Sequence, residues 1–587
     1  MTSESINLSE LKPILEKYAP QGRQGLLPAL WAAQDSYGHL SEPVVAAIGK
    51  ALKVPLADVH AVIEFYTMFY NQPVGQTFVR ICVSPVCTQF GSRAILNAVC
   101  DHFGVQPGET TADGRYTIEA VECLGLCDHA PAALIEDIPV AVDAGLDLAD
   151  WVAQPVPASL GVLGGAPRWL SGRCGRVDPL SLDAFLAQGG YVGLKQALQL
   201  DPGQVIETVV VSGLSGRGGA AFPTGLKWKY TAGALAEPKY IVCNADESEP
   251  GTFKDRVLME GDPFAIIEGM TIAAYAIGAQ QGYIYARGEY PRAQKILNCA
   301  IQTARQAGYL GENILGSGFS FDIELRSGAG AYICGEETAL FESIEGRRGY
   351  PRLKPPFPTT HGLFYQPTVV NNVETLCAAA WILAQGAQAY RAVGTEKSPG
   401  TKLFCLSGDV VNPGVYEAPF GVSLQNLIDL AGGLVGELQG VLLGGAAGAF
   451  AGPDQLGLAM SFEGLWEAGL SLGSGVVSVL NTERDLPAYL LSLAHFFAHE
   501  SCGKCFPCQL GTQRQLEILV RVAQGTVSPA DIETLRDVGF TMTRTSLCGL
   551  GHMAATAILS ALDLWPGSFG VEVLPDNNSG LLVKDDG

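Results

Sequence analysis

At 587 residues, of which 48% are apolar and only 16% are charged, the chain is too long for one ordinary core and too apolar to be generally disordered, so about three to five domains are expected. Its net charge of −22 repels nucleic-acid phosphates and anionic lipid headgroups, which excludes both as expected partners. No run approaches the roughly 18 to 20 apolar residues of a membrane span, and the N-terminal sequence has no basic-then-apolar signal segment; these features predict a cytoplasmic protein without direct membrane insertion.

The first predicted unit, residues 1–72, is a small helical bundle in which Val44, Ile48 and Leu52 recur at helical spacing. An α/β unit follows over 73–153, and it begins with an alternating strand at Thr77 to Cys82. Residues 154–178 are rich in proline and glycine and lose periodicity, which is typical of a linker.

A layered α/β domain is predicted over 179–394. The β-branched run Val205 to Ser212 and the short apolar run Tyr240 to Cys243 are both interpreted as strands. Residues 395–486 contain short strands broken by turn residues, which suits a small β-rich module. Residues 487–570 return to helical spacing.

Four cysteines form two close pairs in the second predicted unit: Cys82 with Cys87, and Cys123 with Cys127. Each pair can chelate one iron of a two-iron cluster while backbone N–H groups solvate the sulfurs. Two alternatives stay open. Zinc could use four thiolates, although these spacings differ from the usual two-residue zinc knuckle, or the four could be incidental buried cysteines.

Near the C-terminus, Cys502, Cys505 and Cys508 have C-x2-C-x2-C spacing, and Cys548 follows forty residues later. Three thiolates this close can fill three corners of a four-iron cubane, and a distant cysteine can close the fourth. A tetrahedral zinc site is the alternative. The remaining seven cysteines are interpreted as small buried apolar residues: Cys100, Cys174, Cys243, Cys299, Cys334, Cys377 and Cys405.

A glycine-rich segment after the predicted strand at 205–212 fits a dinucleotide-binding turn, through Gly216, Gly218 and Ala221. Missing side chains there would let backbone N–H groups reach a phosphate, and Lys227 could supply a counter-charge. A loop that only needs positive φ angles, with a surface lysine nearby, would look the same.

Two further segments combine acids with small or aromatic residues. Residues 244–252 place three acids just beyond a predicted strand, and residues 327–338 combine glycines, an aromatic ring and the paired acids Glu336 and Glu337. Such groups can accept ribose hydroxyls or the edge of a flavin ring, whereas solvated turns are the alternative. Adjacent carboxylates rarely face each other across a sugar, so glycoside hydrolysis is disfavoured. One cation, one ring and two amides could also recognise a nicotinamide dinucleotide: Lys354, Phe357, Asn371 and Asn372.

Taken together, these residues resemble the flavoprotein and thioredoxin-like subunits of respiratory NADH:quinone oxidoreductase, fused in one chain. The same fusion is similar to the diaphorase subunit of NAD-reducing soluble [NiFe] hydrogenase. The resemblance implies a multidomain α/β and α+β fold with an N-terminal helical bundle, a thioredoxin-like [2Fe-2S] domain, a Rossmann-like FMN domain, a ubiquitin-like β-grasp insert and a C-terminal helical [4Fe-4S] bundle.

The resemblance also implies cofactors and their contacts. Cys82, Cys87, Cys123 and Cys127 would hold a [2Fe-2S] cluster, and Cys502, Cys505, Cys508 and Cys548 a [4Fe-4S] cluster. FMN would contact Gly216, Arg217, Gly219, Lys227, Asn244, Asp246, Glu247, Tyr332, Gly335, Glu336, Asn371 and Asn372. NAD(H) would be met by Phe222, Tyr230, Glu249, Glu337, Lys354 and Phe357, with Glu249 and Glu337 orienting it for hydride transfer. Ala221 departs from the family, which usually has glycine there.

The implied activity is that of an NAD(H):acceptor oxidoreductase (diaphorase) subunit, which exchanges hydride between NADH or NAD⁺ and FMN and single electrons with iron–sulfur clusters. The fusion favours an NAD-reducing hydrogenase complex. The flavoprotein subunit of an NAD-dependent formate dehydrogenase or of respiratory NADH dehydrogenase is the alternative, and a non-catalytic zinc-binding scaffold is a third, of another class. Because the chain shows no nickel–iron or molybdenum ligand set, the expected partners are an iron–sulfur electron-transfer subunit and a hydrogenase or other catalytic subunit.

Overall fold

The computed structural model describes residues 8–143, 145, 151, 155–156 and 162–571. An N-terminal helical bundle comes first, as the spacing predicts, and the side chains of Val44, Ile48 and Leu52 are buried in it. Its helices are Leu11–Tyr18, Leu26–Tyr37, Glu42–Leu52 and Leu56–Ile63, with a 3-10 helix at Ala19–Gly25.

A four-stranded sheet of order β2-β1-β3-β4 forms the next unit. Its strands are β1 (Thr77–Cys82), β2 (Tyr116–Val121), β3 (Ala132–Ile135) and β4 (Ile138–Ala141), and its helices are Pro85–Gln89 and Ser92–Phe103. β1 runs parallel to β2, with Cys82 opposite Val121. The segments that follow these two strands therefore leave the sheet at the same edge and carry both cysteine pairs.

A parallel four-stranded sheet of order β8-β7-β6-β9 organises the central α/β domain. Its strands are β6 (Tyr240–Ala245), β7 (Gln281–Ala286), β8 (Asp322–Ser327) and β9 (Thr368–Asn372). The helices of this part of the chain are Leu182–Ala187, Val192–Ala197, Pro202–Ser212, Thr224–Ala232, Lys254–Gly261, Pro263–Ile277, Pro291–Gln306, Glu337–Ile344, Pro358–His361, Val373–Gln385 and Ala387–Arg391. Since all four strands are parallel, their carboxyl ends meet at one edge, which is where α/β sheets usually bind ligands.

The strand predicted at Val205 to Ser212 is wrong, because these residues lie in the helix Pro202–Ser212. Asp201 and Gln204 form a capping box at its start, and Gly213 ends it in the left-handed conformation. These helix start and stop signals outweigh the β preference of the valine run, since local propensity is a weak guide beside capping and packing.

A mixed six-stranded sheet of order β13-β12-β14-β10-β11-β5 forms the predicted β-rich module. Its strands are β5 (Val162–Gly164), β10 (Thr401–Gly408), β11 (Gly414–Pro419), β12 (Leu438–Leu443), β13 (Ala449–Ala451) and β14 (Val476–Asn481), and its helices are Leu424–Leu430 and Phe462–Glu467. Part of the predicted linker 154–178 packs on this module. β5 pairs with β11, and the Glu417 carboxylate accepts hydrogen bonds from the backbone of Leu170 and Ser171.

The C-terminal part is helical, as predicted, with helices Leu486–Glu500, Phe506–Ala523, Pro529–Thr545, Gly549–Met553 and Thr556–Leu564. Its apolar residues share one core with the N-terminal bundle. Within the described ranges, no helix combines the length and apolar character needed to cross a membrane. The expected multidomain α/β and α+β fold is confirmed, while the domain boundaries stay predictions.

Candidate functional site

The carboxyl edge of the parallel sheet, where β6 ends and the segment up to Thr252 begins, is termed the cleft. The Asn244 amide donates to the Gly335 carbonyl at 2.7 Å, which joins this loop to the 3-10 turn Tyr332–Gly335. A Cβ built on Gly335 would stand 3.3 Å from the Asp246 carboxylate, so glycine keeps the two segments close. Burial raises the pKa of Asp246 to about 8, against the lowering effect of Arg287.

Glu249, in the same loop, joins the 3-10 turn and the β-rich module through its carboxylate. The Tyr332 hydroxyl donates to Glu249 Oε2 at 2.6 Å, and the backbone N–H of Ala447, from the β-rich module, donates to Oε1 at 2.8 Å. Burial raises the pKa of Glu249 to about 7, although both donors favour the charged form. The carboxylate therefore changes charge close to neutral pH.

Two lysines and two glutamates form a polar group at the mouth of the cleft. Lys354 contacts Glu336 and Glu337, each at 2.8 Å, and Lys227 lies 3.8 Å from Glu337. Burial opposes the charge of Lys354, yet Glu337 and Glu336 together raise its pKa. Burial lowers the pKa of Lys227, so its ammonium group is the less strongly held of the two.

The glycine-rich loop has a different context from the dinucleotide turn it resembles in sequence. It joins the helices Pro202–Ser212 and Thr224–Ala232, so no strand precedes it. Gly218 still lies against the cleft, because a Cβ there would be 3.2 Å from that of Asn372. Ala221 has a φ of +54°, a conformation that favours glycine, so the departure from the family pattern adds backbone strain.

The side chains of Arg217 and Glu247, both predicted FMN contacts, do not point into the cleft. The buried Arg217 guanidinium donates to the Tyr390 hydroxyl at 2.5 Å and stacks over Phe420. The Glu247 carboxylate accepts from the backbone N–H groups of Asp255 and Arg256, both at 2.9 Å, at the start of a buried helix. Since both side chains are engaged in the interior, any contact of these two residues with a flavin would come from their backbones.

The predicted aromatic and amide contacts divide into two groups. Asn371 and Asn372 belong to the cleft floor: the Trp228 indole donates to Asn371, and the Asn372 amide donates to Asp255. Phe222, Tyr230 and Phe357 are exposed at the surface. Lys227 lies 5.9 Å from the ring centre of Phe222, whereas Tyr230 and Phe357 make no side-chain hydrogen bond or ring contact with the described residues.

The first cysteine set is gathered in the interior. Cys82, Cys87, Cys123 and Cys127 have at most 4% of their surface exposed, and the sulfurs of Cys123 and Cys127 are 3.7 Å apart. Gly125 donates its backbone N–H to the Cys123 sulfur at 3.3 Å. Four buried thiols and a sulfur-directed N–H group suit a cluster of iron and sulfide.

The second cysteine set is gathered at a rim. Cys502, Cys505, Cys508 and Cys548 line one small pocket with Ile333 and Pro351. Only Cys508 is fully buried. Burial raises the pKa of Cys508 to about 11 and that of Cys548 to about 12, so metal loading has to displace protons from these two thiols.

The chemistry of the donors fits clusters at both places, since each offers four thiols, the ligand set that iron–sulfur clusters take. Among the described residues, no group of three or more His, Cys, Asp or Glu side chains is arranged to hold a single metal ion directly. Of the seven other cysteines, six are buried as expected. Cys299 is exposed, which corrects that expectation.

The 3-10 turn Tyr332–Gly335 connects the cleft with the second cysteine set. Tyr332 faces Glu249, while the next residue, Ile333, lines the four-cysteine pocket. The Tyr332 ring also packs edge-on against Phe496 at 5.0 Å, and its backbone N–H donates to Glu500, two residues before Cys502. A single turn therefore touches both sites.

The sequence interpretation missed a group of buried charges beneath the cleft. Lys254 contacts Asp255 and Glu374, and Lys402 contacts Glu374 at 2.6 Å, all in the interior. Arg287, the first residue after β7, was also missed. Its place at the carboxyl end of a parallel strand was the available signal, because that is where the cleft-forming loops of such sheets begin.

Four family models match the chain in order. They are the thioredoxin-like [2Fe-2S] ferredoxin at residues 11–144, the Nuo51 FMN-binding domain at 209–381, the SLBB domain at 403–440, and the NADH-ubiquinone oxidoreductase-F iron-sulfur binding region at 488–571. These matches confirm the expected cofactors: FMN, NAD(H), a [2Fe-2S] cluster and a [4Fe-4S] cluster.

The similar proteins cover between 66% and 95% of the chain. The alpha subunit of the NAD-reducing hydrogenase HoxS from Cupriavidus necator is 38% identical over 573 residues, which cover 95% of this chain and 93% of that protein. An NADH-quinone oxidoreductase subunit from Rhizobium meliloti is 45% identical over 392 residues, 66% of this chain and 93% of its own. A crystal structure of an NAD⁺-reducing [NiFe]-hydrogenase in the H₂-reduced state contains a chain that is 34% identical with a TM-score of 0.84, over 95% of this chain and 94% of that one.

Proposed function

We propose that this chain, which belongs to the family of NADH-binding flavoprotein subunits, is the diaphorase subunit of an NAD-reducing hydrogenase complex. Members of this family occur in NADH-quinone oxidoreductase and, as the alpha subunit, in NAD-reducing hydrogenase. The likeness to the hydrogenase subunit extends through both cysteine sets and the β-rich module, whereas the quinone-oxidoreductase relative matches 66% of the chain. That difference supports the hydrogenase assignment.

One observation carries the proposed electron route: the turn Tyr332–Gly335 borders both the cleft and the pocket of Cys502, Cys505, Cys508 and Cys548. We assign the [4Fe-4S] cluster to these four cysteines and the [2Fe-2S] cluster to Cys82, Cys87, Cys123 and Cys127. Bound FMN supplies the chemistry that joins a two-electron hydride donor to one-electron clusters.

The residues of the cleft have distinct proposed roles. The floor formed by Asn371 and Asn372 and the glycine-lined wall at Gly335 accept the flat ring without steric clash. Glu249 accepts hydrogen bonds from the dinucleotide, and Glu337 orients it together with Lys354. Lys227, which lies 3.8 Å from Glu337, provides a phosphate counter-charge.

Cofactor analysis of the anaerobically purified chain tests this assignment. We expect FMN, iron and labile sulfide together, with a yellow-brown spectrum that NADH bleaches. Serine variants of Cys508 and Cys87 are each expected to remove one electron paramagnetic resonance (EPR) signal and leave the other. A colourless protein that contains zinc would instead support the scaffold alternative.

We further propose that a partner redox subunit docks beside the four-iron site. Phe506 is 76% exposed and Leu510 is 62% exposed, and they lie one turn apart on the helix that begins next to Cys505. The nearby Lys504 and Arg348 flank Tyr350 and pair with no acid among the described residues. In a chain of net charge −22, this apolar and basic patch suits a partner with an acidic rim.

Purification of the complex through a tag on this chain tests both the docking face and the parent complex. Nickel in the purified complex supports the hydrogenase assignment, whereas molybdenum supports formate dehydrogenase. A complex that contains neither nickel nor molybdenum supports the respiratory enzyme. The double variant Phe506→Asp/Leu510→Asp should lose the partner while FMN and clusters are retained. Trp466→Asp, at another exposed apolar site, is the matched control and should keep it. The cytoplasmic location stays a prediction.

A further inference from the structure

Arg287 lies between the two-iron site and the flavin-side loop, and it is only 3% exposed. One of its terminal nitrogens donates to the carbonyl of Cys123 at 2.5 Å, and the other donates to the carbonyl of Glu247 at 2.7 Å. Cys123 belongs to the first cysteine set, and Glu247 follows Asp246 in the cleft. One guanidinium therefore joins the backbones of the two sites.

A second buried arginine fixes the other half of the cysteine loop. Arg256 donates to the Gly125 carbonyl at 2.9 Å and to both oxygens of Asp128, at 2.9 and 3.0 Å. The loop 123–128 belongs to the thioredoxin-like unit, whereas both arginines belong to the central α/β domain. Buried charge-assisted hydrogen bonds of this kind fix geometry strongly, because breaking one leaves an uncompensated charge.

The charge balance around Arg287 makes its effect measurable. Its acidic partner is Glu289, which it contacts at 2.9 Å. Reduction adds one negative charge to an iron–sulfur cluster, and in a poorly hydrated interior a nearby cation stabilises the added charge while a nearby anion opposes it. The guanidinium donates to the carbonyl of a cysteine of the site, whereas Glu289 makes no hydrogen bond or ion pair with that loop among the described residues.

We propose that Arg287 is a positioning residue that holds the Cys123 loop against the flavin-side loop and raises the reduction potential of the two-iron cluster. This inference rests on the proposed assignment of that cluster to Cys82, Cys87, Cys123 and Cys127. Arg287 would thereby make the buried cluster easier to reduce than its isolated domain would allow, and Glu289 would limit that effect.

Redox titration of the full chain, followed by EPR, tests the proposal with charge changes of opposite sign. Arg287→Met should shift the two-iron potential to lower values, and Glu289→Gln should shift it to higher values. Arg287→Lys, which keeps the charge but loses the two-pronged geometry, should give a smaller shift than Arg287→Met. The four-iron potential should stay unchanged in all three variants.

Arg305→Met is the matched control, since this exposed arginine contacts Asp322 and the Ile323 carbonyl instead. It should leave both potentials unchanged. If Arg287→Met does not retain the cluster, Glu289→Gln still decides the matter, because it leaves the guanidinium in place. An unchanged two-iron potential in Glu289→Gln and in any loaded Arg287 variant overturns the inference, whereas a wild-type chain without a two-iron signal overturns the ligand assignment.

Discussion

The two four-cysteine sites differ in where they lie and in what covers them. The set at Cys82 to Cys127 is buried between two domains and is held there by Arg256 and Arg287. The set at Cys502 to Cys548 lies at a rim, with three of its four thiols partly exposed and Phe506 projecting beside it. A shielded site is suited to holding an electron inside the subunit, whereas a rim site is suited to exchange with a partner.

The sites also differ in how they meet the cleft. The rim site is connected through side chains that line the cleft itself, by way of Tyr332 and its hydrogen bond to Glu249. The buried site is connected through backbone carbonyls bound by Arg287. Both sites therefore connect to the cleft, so nearness to the cleft does not by itself define the electron route. The two sites differ in their exposure at the surface.

The largest expected effect distinguishes the two sites by their place on the electron route. Cys505→Ser should reduce electron transfer to the partner by more than about 100-fold, because loss of a ligand exceeds the 10–100-fold cost typical of disturbing a ligand's support. Cys82→Ser should change the same rate by less than about 3-fold, because we expect the shielded cluster to lie off the exit route. The measurement is the steady-state rate of the purified complex, with NADH:ferricyanide reductase as the flavin-level control. An equally severe loss in Cys82→Ser would place both clusters on the route.

A second test uses one glycine from each cysteine loop. Gly125 has a φ of +63°, and a Cβ there would overlap the Tyr290 hydroxyl. Gly503 has a φ of +74°, but its nearest neighbour is the Gln509 side chain at 3.7 Å. Both alanine variants bear a backbone cost of about 1 kcal/mol, and Gly125→Ala adds overpacking of about 2 kcal/mol.

The midpoint temperature of thermal unfolding and the content of the two-iron cluster should therefore both fall clearly in Gly125→Ala and only slightly in Gly503→Ala. Equal destabilisation of the two variants would mean that the buried loop is not pressed against the central domain as tightly as the Tyr290 contact implies.

Much of this architecture could be predicted from the sequence. The cysteine spacings identified both sets, and helical periodicity identified the two bundles, because these signals depend on residues close together in the chain. The helix Pro202–Ser212 was mistaken for a strand because the valine run was given more weight than Asp201 and Gly213 at its ends.

The rest depends on contacts between distant residues, which spacing does not encode. The family resemblance grouped Arg217 and Glu247 with the flavin contacts, whereas their side chains bind Tyr390 and the start of a helix. The bridge from Arg287 to Cys123 spans 164 positions and joins two domains. Only the fold reveals which backbone carbonyls a buried guanidinium meets.

A smaller effect is expected from Glu249→Gln. Because burial raises the pKa of Glu249 to about 7, its carboxylate becomes charged as the pH rises through that value. The charged form should accept hydrogen bonds from NADH more strongly, so the wild-type KM for NADH should fall between about pH 6 and pH 8. The variant should have a KM about 10-fold higher at the upper pH, from a loss of about 1.4 kcal/mol, and little pH dependence. A variant that keeps the wild-type pH profile would remove Glu249 from the NADH site.

The smallest expected effect concerns the turn that touches both the cleft and the rim site. Tyr332→Phe removes one hydrogen bond to Glu249, which should raise the KM for NADH about 3-fold, from a loss of about 0.6 kcal/mol. Since that hydroxyl favours the charged carboxylate, its removal should also move the pH midpoint of the KM profile upward. The Tyr332 ring packs on Phe496, whose helix leads to Cys502, and phenylalanine keeps this ring contact, so the four-iron potential should stay unchanged. The two-iron potential should not change, because Arg287 and not Tyr332 binds the loop at Cys123. A shift in both the two-iron and the four-iron potentials would mean that the cleft is coupled equally to the two sites.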